Sequence, residues 1–599
     1  MCAACIEPSS SSTDNVSVLS SSVKRGAQRS VIVRHEKKTQ PNKKQTSSEG
    51  ETGANIATMD FTVLGTITAV VIVLGLIYRY MTRNDFYFAD KPMPFLKPVF
   101  GVGNLGPLLR KKRDILEHFA WLYNRFPNDK VYGMFNMLNP VFVIRDPEML
   151  KRIAVKDFDH FVDHSSFGGD QELDSSHMLV LNSLVALRGN KWRDMRATLS
   201  PAFTGSKMRQ MFGLIGECGQ RMVEFYKGQC QDGATEKVIV EMKELFSRFA
   251  NDVIATTAFG IEVDSFRQPE NEIFLLGKAV MQPNGFWNTL KGIGYILLPK
   301  LMVKMNVDFL SKEHDQFFRR TIHETIKNRQ EHNIYRPDMI ELLMQAKKGN
   351  LKHSVEKQSK EEAFSVVKES QVGKRNHDRV WTDSELLAQA LIFFTAGFET
   401  VSVTLSFMAY ELTRNKDVQN RLYEEILETE RSLEGKPLSY EVLQAMVYMD
   451  MVVSEVMRVW PIGTIVDRLC VKDYVYDDGQ GCRFTIEKGR TVMASVIGFH
   501  RDPKYYLQPE RFDPERFSAE NRRNINPDTY LPFGIGPRNC IGSRFALMEM
   551  KAVVYYLLLN FSFEVTEKTQ IPLKLEKSPT KIASENGIWL ELKPRVSKL

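Results

Sequence analysis

The sequence predicts a mainly α-helical protein that carries an N-terminal transmembrane helix. Three stretches predict it. Phe61 to Ile77 is an almost unbroken apolar run, extended by Tyr78 to Met81, and about 20 apolar residues suffice to cross a bilayer. Thr382 to Leu412 reads as one helix of roughly thirty residues, or about 45 Å, long enough to cross a large domain. Phe545 to Leu559 is a second apolar, helix-like stretch near the C-terminus.

Each element has a local reason. The polar flanks of the 61–81 run make it a membrane anchor rather than a core helix, and Tyr78 and Tyr80 suit the headgroup interface. Thr382-x-x-Glu385 is a capping box that fixes the start of the long helix. The interior of that helix is apolar: Leu386, Leu387, Ala390, Leu391, Phe393 and Phe394. Gly397 interrupts it at a cost of about 1 kcal/mol relative to Ala, and the small pair Ala396-Gly397 is expected to open space against a flat cofactor. Thr400 lies four residues after Ala396, so its hydroxyl is predicted to take the Ala396 carbonyl and bend the helix.

The chain has 599 residues, 43% hydrophobic and 26% charged, the balance of a globular protein. The net charge of +7 is mild and its basic residues form no single long tract, which argues against nucleic acid as a partner. It suits a basic docking face or an anionic membrane surface. The seven cysteines (Cys2, Cys5, Cys218, Cys230, Cys470, Cys482 and Cys540) are odd in number and scattered, so no disulfide framework is expected. That fits a reducing compartment. Cys2-x-x-Cys5 has no second pair and lies in a Ser-rich leader, so it is read as no metal site.

Residues 1–58 are rich in Ser, Thr, Lys and Arg and have the composition of a disordered segment. Met59 directly precedes the anchor, and translation is expected to start there, with the leader belonging to a longer transcript or an over-extended gene model. A transit peptide is the rival reading, opposed by Glu36, Glu49 and Glu51. Residues 59–82 form the anchor. Arg79 and Arg83 follow the apolar run and place the C-terminal part in the cytosol, although the basic leader complicates that rule. Residues 83–98 read as a basic, proline-rich hinge, stiffened by Pro92, Pro94 and Pro98. Residues 99–599 are expected to form the main globular domain.

The most informative run is Phe533-Gly-Ile-Gly-Pro-Arg538-Asn-Cys540-Ile-Gly542. A lone thiolate is one of the few protein ligands that hold haem iron. The glycines let backbone N–H groups approach the sulfur, and such donors tune it. The helix that follows points its positive end at the loop. Arg538 is placed to meet an anion on the same face, such as a haem propionate.

The pattern Phe-x-x-Gly-x-Arg-x-Cys-x-Gly resembles the haem-binding loop of cytochromes P450. Ala396-Gly-Phe-Glu399-Thr400, Glu455-x-x-Arg458 with Pro461, Pro514-Glu-Arg516-Phe and Trp192-x-x-x-Arg196 resemble further motifs of that family, in its chain order. The likeness runs from about residue 85 to the end. The wording is similar to the microsomal, drug- and toxin-metabolising clan. Residues 141–147 and 158–167 look most like insect members of family nine.

The resemblance implies the cytochrome P450 fold, mainly α with a smaller β-rich region. It implies haem (iron protoporphyrin IX) on Cys540 as axial iron ligand, with further haem contacts from Trp192, Arg196, Ala396, Arg468, Phe533 and Arg538. It gives Thr400 and Glu399 the role of proton delivery during dioxygen cleavage. Glu455, Arg458 and Arg516 become a structural lock behind the haem loop. Relatives often place an Arg near residues 163–165, where this chain has Asp163-His164-Ser165; this leaves one propionate contact open, with His164 a weak substitute.

The activity implied is monooxygenation: one oxygen atom of O2 enters a lipophilic small molecule, a xenobiotic or an endogenous lipophile. Electrons come from NADPH through the membrane-bound NADPH-cytochrome P450 reductase, with cytochrome b5 as a second donor. The location implied is the endoplasmic reticulum membrane, facing the cytosol. Phe393, Phe394, residues 462–466 and residues 165–178 are candidates for the substrate pocket. Residues 279–301 are a candidate lid, with Met281, Phe286, Trp287, Tyr295 and Ile296 near the membrane surface. Arg193, Lys207, Arg209, Arg544 and Lys551 are candidates for the reductase-docking face. The charged stretch 345–379 reads as an exposed linker. Two other readings stay open: a haem-thiolate isomerase or dehydratase, and a non-catalytic haem carrier. Neither needs both an acid and a hydroxyl on the long helix.

Overall fold

The computed structural model describes residues 52–165, 178–232, 237–281, 286–336, 338–347 and 381–595. The leader with Cys2 and Cys5, most of the 165–178 loop, and most of the charged 345–379 stretch lie outside the described residues. So do the side chains of Met281, Phe286 and Ile296.

The helices used below are α1 (Thr52–Thr82), α2 (Gly189–Leu199), α3 (Gly205–Asp232), α4 (Met242–Ile254), α5 (Glu272–Met281), α6 (Phe286–Leu297), α7 (Asp383–Arg414), α8 (Lys416–Ser432), α9 (Val447–Val459) and α10 (Ser543–Asn560). The strands are β1 (Val131–Asn136), β2 (Asn139–Ile144), β3 (Val238–Glu241), β4 (Ile465–Leu469), β5 (Tyr474–Asp477), β6 (Arg483–Ile486), β7 (Thr491–Ser495), β8 (Phe561–Val565) and β9 (Trp589–Pro594). Helix dominates and the sheets are small, the predicted fold class. The first unit ends at Gly75 and the second runs from Leu76.

The apolar part of α1, Phe61–Thr82, has a mean hydropathy of 2.3, and none of it is buried. Its composition and exposure are those of a membrane span. The helix itself starts at Thr52, so its first turns fall inside the stretch read as a disordered leader. Residues 52–58 contain no proline to stop a helix and include Ala54 and Ala57, both strong helix formers.

In the second unit, α7 is long and apolar, though less so than α1, and mostly buried, which makes it the core helix. Its start is the predicted capping box: the Glu385 N–H donates to Thr382 Oγ1, and the Thr382 N–H donates back to Glu385 Oε2. Helix α4 crosses it closely, and α10 packs against α3, α8 and α9. The largest sheet has the order β1-β2-β7-β4, antiparallel except for β2 with β7. β3, β9 and β8 form a second sheet, and β5 with β6 a hairpin.

The 83–98 stretch is docked rather than hinge-like. Phe88 is buried, Lys91 pairs with Glu487 at 2.8 Å, and Leu96 and Pro94 exchange backbone hydrogen bonds with Gly133 of β1. It belongs to the domain it precedes, because its apolar side chains enter the same core.

Candidate active site

The loop 533–542 is folded by its own backbone. The Cys540 N–H donates to the Phe533 carbonyl at 2.9 Å, and the Asn539 N–H to Gly536 at 3.0 Å. Gly536 has φ +74°, and a Cβ there would stand 2.1 Å from the Ala154 carbonyl oxygen. Only glycine satisfies both constraints. Gly542 is the N-cap of α10, so the partial positive charge of that helix end faces the sulfur. Burial pushes the Cys540 thiol up, opposed by the Gly542 N–H and by the Arg196 guanidinium. The residue is nevertheless accessible, because it faces a cavity and not packed side chains.

That cavity has a volume of about 290 Å³. Cys540, Phe533, Arg468 and Arg538 line it, as do Thr400 and Val401 of α7. Ile462, Gly463, Ile465 and Val466 add an apolar edge, within the 462–466 stretch expected for the pocket. Phe393 and Phe394 are not in its lining. Phe394 is fully buried against Phe259 and Phe398, and Phe393 packs on Phe203.

Trp192, Arg196, Ala396 and Glu399 lie outside the lining as well. Arg196 grips the loop itself, donating to the Asn539 carbonyl and to Asn539 Oδ1, both at 2.8 Å. Trp192 is buried beneath the Arg538 guanidinium, 4.0 Å from its ring centre. Arg538 donates to the carbonyls of Val162 and Leu187, each at 2.7 Å, and reaches Asp163 at 3.3 Å. An aspartate at 163 thus meets the arginine of the loop.

At the polar end of the cavity Arg468 and Arg538 stand beside two carboxylates, Asp467 and Asp163. Arg468 donates to the carbonyls of Asp467 and Ile535, each at 2.6 Å, while its buried Nε has no partner. Burial pushes its guanidinium down to about 10, and that of Arg538 down to about 9. Two desolvated cations beside an orphaned donor fit an anionic ligand. His164 lines the same end, with Nδ1 2.9 Å from Asp467 Oδ1. Burial alone would raise the Asp467 carboxyl, but His164 and the Ser165 N–H and hydroxyl hold it well below the usual range. A thiol facing the cavity, an apolar edge and a polar end bearing two arginines together fit haem with its two carboxylates. Cys540 would hold the iron, and Arg468, Arg538 and His164 the anionic edge.

On α7 the Thr400 hydroxyl donates to the Ala396 carbonyl at 2.7 Å. Glu399 points away from the cavity and accepts from Lys243 of α4 at 2.9 Å. The expected reason for Gly397 needs correction. A Cβ there would stand 2.4 Å from Ile254 Cδ1, so this glycine lets α4 and α7 approach and does not face a cofactor.

Behind the loop, Glu455 and Arg458 are fully buried and bonded twice, at 2.7 and 2.8 Å. Glu455 also accepts from Arg516 Nε at 3.3 Å and the Asp513 N–H at 2.8 Å. Arg458 donates to the carbonyls of His500 and Arg511. A buried pair of this kind is stable only with such extra partners.

Lys551 does not belong to any docking face. It is fully buried, with its ammonium 3.0 Å from Asp450, because it lies on the inner side of α10. Of the lid candidates, Trp287 is exposed, whereas Tyr295 is buried and stacked on Phe309.

A family model described as Cytochrome P450 matches residues 92–588. Cytochrome P450 9e2 of Blattella germanica is 42% identical over 542 residues, covering 88% of this chain and 98% of the relative. Cytochrome P450 9b1 of Drosophila melanogaster is 38% identical, covering 88% and 99%. Cytochrome P450 3A41 of Mus musculus is 34% identical, covering 89% and 97%.

Proposed function

The chain belongs to the cytochrome P450 family and is a haem-dependent monooxygenase, and on that premise we propose that it oxidises lipophilic xenobiotics or endogenous lipophiles at the endoplasmic reticulum membrane. The observation that carries this reading is the cavity in which Cys540 faces Thr400 across apolar walls, with Arg468 and Arg538 at one end. When bound, haem supplies the activation of dioxygen. The protein's own residues do the rest. The Gly542 N–H and the α10 N-terminus favour the anionic form of the Cys540 sulfur. Arg468, Arg538 and His164 orient the carboxylate edge of the cofactor. Thr400 presents a hydroxyl to the cavity, and the Glu399 carboxyl, one residue away, is its proposed partner in proton delivery. Val401, Ile462, Ile465 and Val466 exclude water and favour an apolar substrate.

Electrons come from NADPH through a membrane-bound flavoprotein reductase in this reading, with cytochrome b5 as a second donor. Arg193, Lys207, Arg209 and Arg544 are the cations proposed for the docking face. α1 is the proposed anchor, with the catalytic domain in the cytosol.

The test is the carbon-monoxide difference spectrum of reduced membranes holding the full chain, beside Cys540→Ser. A strongly red-shifted Soret band that the substitution removes is the expected result. A band at the position of neutral-ligand haem, or no haem, overturns the reading.

A further inference from the structure

Residues 399 and 400 are about 100° apart around a helix. Thr400 lines the cavity, whereas Glu399 does not and is turned toward α4. There it meets Lys243, whose ammonium has three donors and places all three: on Glu399 Oε2 at 2.9 Å, Ser402 Oγ at 2.8 Å and Ser247 Oγ at 3.0 Å. The ammonium is therefore fixed in position, held from both helices. The two side chains are each about three-tenths exposed, 30% for Lys243 and 29% for Glu399, so the pair is in contact with water. The neighbouring charges are also paired. Glu244, next to Lys243 on α4, accepts from Arg248 and from Lys278 of α5. Lys243 is thus the cation that governs Glu399.

We propose that Lys243 is a positioning residue for proton supply to the cavity: it holds the Glu399 carboxylate at the water-accessible crevice between α4 and α7, one residue from the Thr400 hydroxyl. The proposal rests on the monooxygenase reading and adds to it a residue from a different helix. The bond from Lys243, whose ammonium is itself fixed by Ser247 and Ser402, sets the direction in which the Glu399 carboxyl faces.

Proton supply can be read without a known substrate. With NADPH and the reductase alone, dioxygen is reduced either by two electrons (O2 + NADPH + H+ → H2O2 + NADP+) or by four (O2 + 2 NADPH + 2 H+ → 2 H2O + 2 NADP+). Poor proton supply favours the first. The ratio of peroxide formed to NADPH oxidised is measured for the full chain in membranes, as wild type, Lys243→Met, Lys243→Arg, Glu399→Gln and Lys243→Met/Glu399→Gln. Thermal loss of the haem Soret absorbance is followed in the same five proteins.

The expected result is a peroxide fraction raised about threefold or more by Lys243→Met and by Glu399→Gln, with the double variant no worse than either. Lys243→Arg should stay within about twofold of wild type. The melting shifts of the two single variants should be less than additive. A Lys243→Met protein that melts earlier but keeps the wild-type peroxide fraction overturns the proposal and leaves a purely structural α4–α7 tie. An unchanged fraction in Glu399→Gln overturns it too. Absence of the red-shifted carbon-monoxide band in wild type would instead remove the haem-thiolate reading itself.

Discussion

Arg468 donates to the carbonyl of Ile535 at 2.6 Å, which ties strand β4 to the loop that carries Cys540 five residues later. The same guanidinium keeps its Nε free of any protein acceptor, although it is fully buried. One residue thereby shapes the loop and keeps a buried donor unused, which the proposed reading assigns to the cofactor.

Arg468→Met should therefore loosen haem more than it loosens the fold. A hydrogen bond to a charged group contributes about 1.5–3 kcal/mol, which predicts haem loss faster by about tenfold to a hundredfold. Transfer of haem to apomyoglobin from the purified protein measures it. An unchanged transfer rate would show that the orphaned Nε serves no ligand.

Glu455→Gln removes one charge from a pair with no exposure at all. Breaking such a pair costs about 3–5 kcal/mol, because the remaining charge stays buried. The denaturant midpoint should fall accordingly. The double variant Glu455→Met/Arg458→Leu should recover part of the loss, since neither charge is then stranded. Equal midpoints for the single and double variants would contradict the lock.

The parts of this molecule that were legible in the sequence are those whose cause is local. Thr382 and Glu385 are three residues apart, so their capping box can be read from spacing. The run 533–542 is long enough to identify its loop, and Thr400 reaches Ala396 within one turn. What was not legible depends on distant partners. Lys243 is 156 positions from Glu399, and no spacing rule brings them together. Lys551 is basic and near the cysteine loop, but charge says nothing of which side of α10 it takes. Gly397 stands out in the sequence for its small size, yet the group that requires it, Ile254, comes from another helix. Asp163 shows nothing of its partner in the local sequence, and only the fold reveals that it receives Arg538.

Gly536→Ala and Gly534→Ala separate backbone strain from crowding. Both glycines have positive φ, +74° and +79°, and the Cβ at 536 would also collide with the Ala154 carbonyl, whereas at 534 the nearest atom is 3.8 Å away. Strain alone at a left-handed position costs about 1–2 kcal/mol. Gly534→Ala should keep a reduced but measurable red-shifted carbon-monoxide band. Gly536→Ala should lose it or fail to accumulate, because the loop cannot stay in place. The reverse order would mean that contact with Ala154 does not position the loop.

His500 predicts the acid side of the stability profile. It is fully buried, and burial, aided by the nearby Arg458 charge, pushes its imidazole down to about 3. In the folded protein Nε2 accepts the Leu531 N–H at 2.8 Å, so Nδ1 carries the ring proton and faces the Arg458 carbonyl at 3.1 Å. The ring must be neutral to make both bonds. Its folded value is below the unfolded value of about 6.5, so the unfolded chain binds the proton first as pH falls. Stability is complete above about 6.5 and declines toward about 3, by up to about 1.4 kcal/mol per pH unit. His118, buried and pushed down to about 4, adds a loss of the same sign. Urea unfolding at pH 7 and pH 5 should show the decline. His500→Gln keeps an acceptor for Leu531 and cannot take a proton, so its slope over that range should be shallower, with the remainder due in part to His118. A slope identical to wild type would mean that His500 is not the group whose protonation opens the fold.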